Sequence, residues 1–416
     1  MLLLGALLGG SLQGEAAIVI EGFSSGSNDR FSNDPAFVAA AYDLSAIGLN
    51  ESGRWGTLVS GNVILSANHF FPAIGSTMTF HQSNDPSGES VSRQLIAGQR
   101  VEDSDLWLGV LADPVPAGYT PMSFTDEAIA NTAGFFSSSH AGEEAFMVGR
   151  SPSSFPLVTD MALGKNILND WIEDFSDSGT VDQAVLAYQD LPDDPDFVSF
   201  EAYLQIGDSG APLLRDVGGV LTLIGINWFI GTVDIDSRPA FEDLRNLSGF
   251  SYIGNYAASL DASISAFSVD ATAGYVSWMN SAFGTTDWAV AGPAVDFDGD
   301  GLDNFTEYAF VLDPSDPTDP VPLLSGTTEL TGARHLQAVF STREDPDLQY
   351  TVEVGSDLAG WTSVSLSFDG SWSSSDPAEV IVEGNSPNGD GTWNLTVRDA
   401  NALQPGAPRF IRASAQ

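Results

Sequence analysis

The chain has 416 residues, 43% of them hydrophobic, with 42 glycines, 22 prolines and no cysteine. Its 56 Asp and Glu against 14 Lys and Arg give a formal net charge of -42; such a chain repels phosphate backbones and anionic lipid surfaces, which argues against nucleic acid as a partner. The missing thiols exclude disulfides, zinc-thiolate sites and cysteine nucleophiles.

The length suits two or three domains. A single lysine, Lys165, in so acidic a chain suits saline surroundings, where salt screens self-repulsion. The start, Met1 to Ala17, is a short apolar run followed by small residues, the pattern of an export signal without its basic segment. Residues 1–17 are therefore expected to be a signal peptide, with cleavage after Ala16 or Ala17 and an exported mature protein. No later stretch is long and apolar enough to span a membrane.

From Ala36 to Phe124, short apolar runs such as "WGTLVS", "NVILSAN" and "LWLGVL" alternate with Gly, Asn, Asp and Ser, and a second set runs from Ala145 through "APLLRD" and "LTLIGINWFI". Many short strands without intervening helices predict all-β barrels or sandwiches. One segment departs from this: "DATAGYVSWMNSAFG" has Asp270 as N-cap, apolar residues at helical spacing and Gly284 as a stop. It predicts a single helix closing a first domain over 18–286. The acidic, proline-rich stretch that follows, 287–322, reads as a linker. Alternating strands then resume from "HLQAVFS" to "RFIRASA" and predict a C-terminal β-sandwich over 323–416.

Acyl transfer by a serine needs a base for the hydroxyl proton, an acid to orient that base, and N–H donors for the oxyanion. Of the four histidines, His69 ends the apolar strand "ILSANHF", whereas His81 and His140 fall in polar loops and His335 in the tail. For the acid, Asp105 enters the buried strand "DLWLGVL", a costly place for a carboxylate without a hydrogen-bonding partner; Asp103 is the alternative. In "IGDSGAPLL", Gly207 is free to take backbone angles denied to other residues, and Ser209 sits at the tip of the turn.

"WGTLVSGNVILSANHF", "DSDLWLGVL" and "IGDSGAPLL" together resemble the three signature blocks of the chymotrypsin/trypsin-like serine proteases, in that family's order, and "YVSWMNSAF" resembles its closing helix. The resemblance runs from about Ile18 to Gly284 and implies a chymotrypsin-like double β-barrel. It implies Ser209 as nucleophile, His69 as general base and acid, Asp105 as the orienting acid, and the N–H groups of Gly207 and Ser209 as the oxyanion hole. It also implies a substrate pocket around Tyr203, Asn227 and Trp228, a protein or peptide substrate, and no catalytic cofactor. Tyr203 stands where an acid would pair with Lys or Arg, and Glu201 is at the wrong offset, so cleavage after basic residues is not expected. Ala211 replaces a glycine common in the family, and the family's disulfides are absent. Family members that insert a freed N-terminal amine beside the acid preceding the nucleophile would have Ile18 and Asp208 as counterparts here; a plain first strand is the preferred reading of Ile18.

"DFDGDGLDNFTE" fits the calcium loop D-x-D-x-D-G-x5-E without mismatch: Asp296, Asp298 and Asp300, the carbonyl of Leu302, Asn304 and a bidentate Glu307 supply oxygens. With the following "DPSDPTD" it resembles thrombospondin type 3-like calcium linkers, which implies a structural Ca²⁺. The tail resembles β-domains at the C-termini of exported bacterial proteins, with surface or polysaccharide binding, or a use in secretion, all open. The expectation is an exported serine endopeptidase; the competing class is an inactive protease fold serving as a binding or adhesion protein.

Overall fold

The computed structural model describes residues 16–154, 160–177, 179–234, 244–267, 273–318, 323–346 and 348–416. The first fifteen residues of the expected signal segment and the Asp270 cap lie outside them. The chain forms two compact units, Met1–Ser268 and Val269–Gln416.

In the first unit, six strands close into an antiparallel barrel: β1 (Ile47–Asn50), β2 (Trp55–Leu58), β3 (Val63–Ala67), β4 (Thr77–His81), β5 (Ser90–Arg100) and β6 (Leu106–Leu111), in the order β1-β2-β3-β6-β5-β4. The strands β3 and β6, read as unbroken apolar runs, are buried along their whole length and pair from Val63–Val110 to Ala67–Leu106. Full burial of each Val, Ile or Leu there contributes about 1.5–3 kcal/mol.

Seven further strands form one antiparallel sheet: β7 (Glu144–Arg150), β8 (Met161–Ile167), β9 (Asp170–Asp177), β10 (Thr180–Tyr188), β11 (Pro212–Val217), β12 (Val220–Asp234) and β13 (Leu244–Tyr252), in the order β9-β10-β13-β12-β11-β7-β8. Where a second closed barrel is expected, the strands curl into a half-barrel. Asn166 of β8 reaches the far side, donating to the carbonyls of Tyr188 and Ala202. The period-2 alternation of a strand puts its two faces into different cores. In β10, Val185 and Ala187 join Ile18, Leu213 and Phe250 in one cluster, while Ala184 and Leu186 join Trp228, Phe229 and Leu247 in another.

Without disulfides, buried guanidinium groups tie distant segments together. Arg30 is fully buried and donates to the Asn84 side chain and to the carbonyls of Ile47 and His81. Burial lowers its pKa to about 10.

The helix that ends the first unit is α1 (Ala257–Phe267), where the sequence reading placed no helix. Its Leu260 and Phe267 are buried, and Gln99 and Asn62 of the first barrel donate to Ser263 and to the Phe267 carbonyl. The helix expected after Asp270 does form, as α2 (Ala273–Phe283), but in the second unit. The physical reason is its aromatic face. Tyr275 packs on Trp288 of α3 (Trp288–Ala291) and on Phe305 and Tyr308 of α4 (Asn304–Phe310), and its hydroxyl donates to the Ala291 carbonyl at 2.8 Å. The boundary therefore falls at Ser268 instead of 286, and the acidic stretch up to Thr318 belongs to a folded body.

That body continues into a sandwich of two four-stranded sheets. One has the order β14-β15-β20-β19 and the other β18-β17-β16-β21, with β14 (Leu324–Leu330), β15 (Ala333–Arg343), β16 (Tyr350–Gly355), β17 (Thr362–Phe368), β18 (Trp372–Ser374), β19 (Val380–Pro387), β20 (Thr392–Ala402) and β21 (Phe410–Ala415). The tail is the expected β-sandwich. Helix α4 docks on it through Phe310, edge-on to Phe340 and Tyr350, while the Tyr350 hydroxyl donates to the Ala309 carbonyl.

Candidate active site

The apolar run of β3 ends at Ala67, and the chain turns through a short 3-10 segment, Asn68–Phe70, that lifts His69 to the barrel rim. Asp105, just before β6, is fully buried and meets it twice. Its Oδ2 lies 2.7 Å from His69 Nδ1, and its Oδ1 accepts the His69 backbone N–H at 3.0 Å. The Asn68 N–H in turn donates to the Asp105 carbonyl. Burial pushes the Asp105 carboxyl above its ordinary range, with the His69 hydrogen bonds pulling against it. Asp103, the rival acid, is exposed, and its carbonyl accepts from the Arg100 guanidinium.

The other three histidines are spent elsewhere. His140 is buried between Thr125, Arg215 and Glu127, His335 accepts from Arg398 within the sandwich, and the His81 ring packs on Phe31.

Ser209 lies in the turn between the short strand Ala202–Tyr203 and β11. Gly207 and Gly210 both adopt left-handed backbone, φ 106° and 88°. A Cβ on Gly210 would sit 2.8 Å from Ser66 Oγ and 3.5 Å from the Ala67 nitrogen, so the turn rides directly on the end of β3, next to the His69 segment. Only glycine permits that approach. Ser209 is half-buried, and its hydroxyl has no hydrogen bond, to His69 or to any other of the described residues. Nor do the Gly207 and Ser209 N–H groups have an internal acceptor among the described residues. Loose apo hydrogen bonds are ordinary at catalytic sites.

The turn is braced from below by Asp208, which is fully buried. Its oxygens accept the N–H groups of Arg150 and Gln205, both at 2.8 Å. Burial pushes it up to about 7, against the pull of those bonds and of the Arg150 charge. Ile18 approaches the same place as part of a continuous chain, its N–H donating to the Arg150 carbonyl, and Val19–Ile20 pairs with Ala202–Tyr203. Ile18 itself lies just before that two-residue strand.

Of the expected pocket residues, Tyr203 is half-buried, whereas Asn227 and Trp228 are buried supports. Asn227 Nδ2 bridges the Val148 and Asp208 carbonyls, and its own carbonyl accepts the Gly210 N–H. Trp228 packs edge-on to Phe175 and Phe229. The sequence reading missed Phe229, whose ring lies flat on Gly249, 2.2 Å from where a Cβ would stand, and stacks on Phe175 at 3.7 Å. Glu201 gives its oxygens to the N–H groups of Asp190 and Val198, and burial pushes it up to about 8. Arg150 and Asp182 were also missed; both are buried charged residues in strands, which is itself the signal that marks them.

A closed barrel followed by a half-barrel, with His69 and Asp105 on the first and Ser209 on the second, decides the architecture. The fold is chymotrypsin-like. No protein-family model matches the chain, and no curated protein does. Among solved structures it is similar to the NS6 protease of murine norovirus 1, at 13% identity over 52% of this chain and 92% of that one with a TM-score of 0.30. It is also similar to the thermostable serine protease AL20 from an extremophilic microorganism, at 12% identity over 51% and 94% with a TM-score of 0.29. At such values the fold assignment rests on the strand order and register given above.

The second unit holds the acidic loop. Oxygens of Asp296, Asp298 and Asp300 lie within 4.8 Å of one another. The loop is folded by its own acids: Asp296 accepts the N–H groups of Gly299 and Gly301, Asp298 that of Asp300, and Asp300 that of Leu302. Asp303 then caps α4 through the Thr306 N–H. Glu307 is 1% exposed, yet neither carboxylate oxygen has a hydrogen-bond partner. Burial, then the charges of Asp298, Asp300, Asp296 and Asp313, push it up to about 8. A buried, unpartnered carboxylate facing three others fits a hard divalent cation. Asn304 gives its amide N–H to the Gly292 carbonyl.

Proposed function

We propose that the first unit is a serine endopeptidase acting on protein or peptide substrates outside the cell, and that the second carries one structural Ca²⁺. The observation that carries the enzymatic reading is the buried Asp105 bonded to His69 Nδ1, beside a glycine-bounded turn that presents an uncommitted Ser209 hydroxyl.

His69 Nε2 takes the Ser209 proton as Oγ attacks the substrate carbonyl, and Asp105 holds the ring and balances the imidazolium. The N–H groups of Gly207 and Ser209 receive the oxyanion. His69 then protonates the leaving amine, and water, activated by the same ring, releases the acyl group from Ser209. No step needs a cofactor. With Glu201 committed to backbone donors and Phe229 lying over Gly249, the side chain beside the scissile bond is small or apolar, not basic. Asp296, Asp298, Asp300 and Glu307 would hold the calcium ion, with the Leu302 carbonyl and Asn304 completing the expected set.

The test is covalent labelling by a fluorophosphonate, together with casein turnover, in wild type and Ser209→Ala. Labelling and turnover lost in the variant support the reading. A wild-type protein that does not label favours the competing class, a binding or adhesion protein on an inactive protease fold.

A further inference from the structure

Behind Asp105 stands a second buried carboxylate that the mechanism above does not use. Asp182 belongs to β10 of the half-barrel and is 3% exposed. Its Oδ2 accepts the backbone N–H of Asp105 at 3.1 Å and the Ser251 hydroxyl at 2.7 Å. Its Oδ1 accepts the Tyr256 hydroxyl at 2.5 Å and the Gln183 N–H at 2.7 Å. Four donors from four places in the chain converge on it. A carboxylate accepts all four; an asparagine amide would turn two of its own N–H groups toward donors. The site is thus built for an anion, although a neutral side chain suffices to pin one backbone N–H.

Resting on the serine-hydrolase reading, we propose that Asp182 is a positioning residue for the catalytic pair: it fixes the main chain of Asp105 from the opposite half of the fold and sets a second negative charge behind the Asp105–His69 pair. The imidazolium formed during acyl transfer is then balanced by two carboxylates in series. The link also ties the two halves of the site together, since Asp105 enters β6 and Asp182 sits on β10. The close proximity of the two acids is felt at Asp105, where Asp182 adds to the upward push of burial.

The charged and titratable groups around Asp182 are few. On the β6 side stand Asp105 and, beyond it, His69. On the segment after β13 stands Tyr256, which the charges of Glu102 and Arg100 also reach. Arg100 is the cation of the group, and its guanidinium is committed to the carbonyls of Ser104 and Asp103 and to the Thr180 hydroxyl. Glu102 accepts the Ser259 hydroxyl. Neither the Arg100 cation nor these hydroxyls take the place of the Asp182 charge beside Asp105.

The experiment compares wild type with Asp182→Asn, Ser251→Ala and Tyr256→Phe in the full chain. Removing the charge in Asp182→Asn shifts the acid limb of kcat/KM by about one pH unit to lower pH and lowers kcat about tenfold, with KM nearly unchanged. Ser251→Ala and Tyr256→Phe each remove one hydroxyl donor but keep the charge, and leave the limb within about 0.3 unit of wild type. A lowered Tm in Asp182→Asn with the acid limb unmoved overturns the proposal, because a purely structural acid has no reason to move it. The same comparison is read without turnover by following the His69 ring through its titration by NMR in wild type and Asp182→Asn. Equal midpoints overturn the proposal, whereas a wild-type protein that titrates as expected but fails to label at Ser209 overturns the hydrolase reading alone.

Discussion

Gly207 is where the backbone and the packing of the site make the sharpest demand, and Gly207→Ala tests both. The residue has φ 106°, and a Cβ there would lie 2.6 Å from Arg150 Nη1 and 2.9 Å from its Cζ. Arg150 cannot swing away cheaply, being fully buried with Nη2 donating to the Gly53 carbonyl at 3.2 Å. Left-handed backbone at a non-glycine residue costs about 1–3 kcal/mol, and overpacking a rigid neighbour costs about 1–3 kcal/mol more. Their sum, about 2–6 kcal/mol, lowers the Tm of a unit this size by roughly 4–24 °C. Moving the Gly207 N–H away from the oxyanion also removes about 10²–10³ in kcat/KM. Gly22→Ala is the control: φ there is 69°, with nothing within 4 Å of a Cβ, so only the backbone cost of about 1–2 kcal/mol applies. Thermal melting and kcat/KM are measured on both variants. Equal melting temperatures and equal activities in the two would refute the packing argument, and an unchanged kcat/KM in Gly207→Ala would refute the oxyanion assignment.

The buried acids of the first unit set a pH dependence. Asp160 and Asp208 are pushed up to about 7, Asp190 to about 6 and Glu201 to about 8, in each case by burial first. The native state therefore keeps protons that the unfolded chain loses near pH 4, so this stability is complete below that point and is lost as pH rises through 6–8. Melting temperature falls from about pH 5 to about pH 8 and the slope flattens in Asp208→Asn; a rising Tm over that range contradicts the assignment. Chelation lowers the Tm of the second unit, with saturating Ca²⁺ at about 100 times its Kd worth about 2.7 kcal/mol. Glu307→Gln removes most of that difference; an identical response in wild type and variant rules out this loop as the site. A cleavage profile over a peptide library yields small or apolar residues before the scissile bond, and a dominant Lys or Arg there contradicts the reading of Glu201 and Phe229.

The candidate site residues are legible in sequence because each sits where an apolar strand gives way to a polar group, a junction that leaves a mark. His69 follows β3, Asp105 precedes β6, and Ser209 lies between glycines before β11. The choice between Asp103 and Asp105 was not legible, since it turns on which carboxylate points inward, and the structure buries Asp105. The end of the first unit was misread for a related reason. The segment Ala257–Phe267 is rich in Ala and Ser with a thin apolar stripe, while the stronger aromatic pattern after it serves the second unit. Asn227 was matched to the substrate pocket by its position beside Trp228. Its bridging of the Val148 and Asp208 carbonyls depends on strands distant in sequence, and no local pattern encodes that.

Arg30 joins segments 17 to 54 residues apart, and Arg150 reaches Gly53 across 97 residues. These spans are closed by charge and hydrogen bonds in a chain that has no thiol to oxidise. Its folding therefore needs no thiol oxidation: thiol reductants and disulfide isomerases have nothing to act on in this chain.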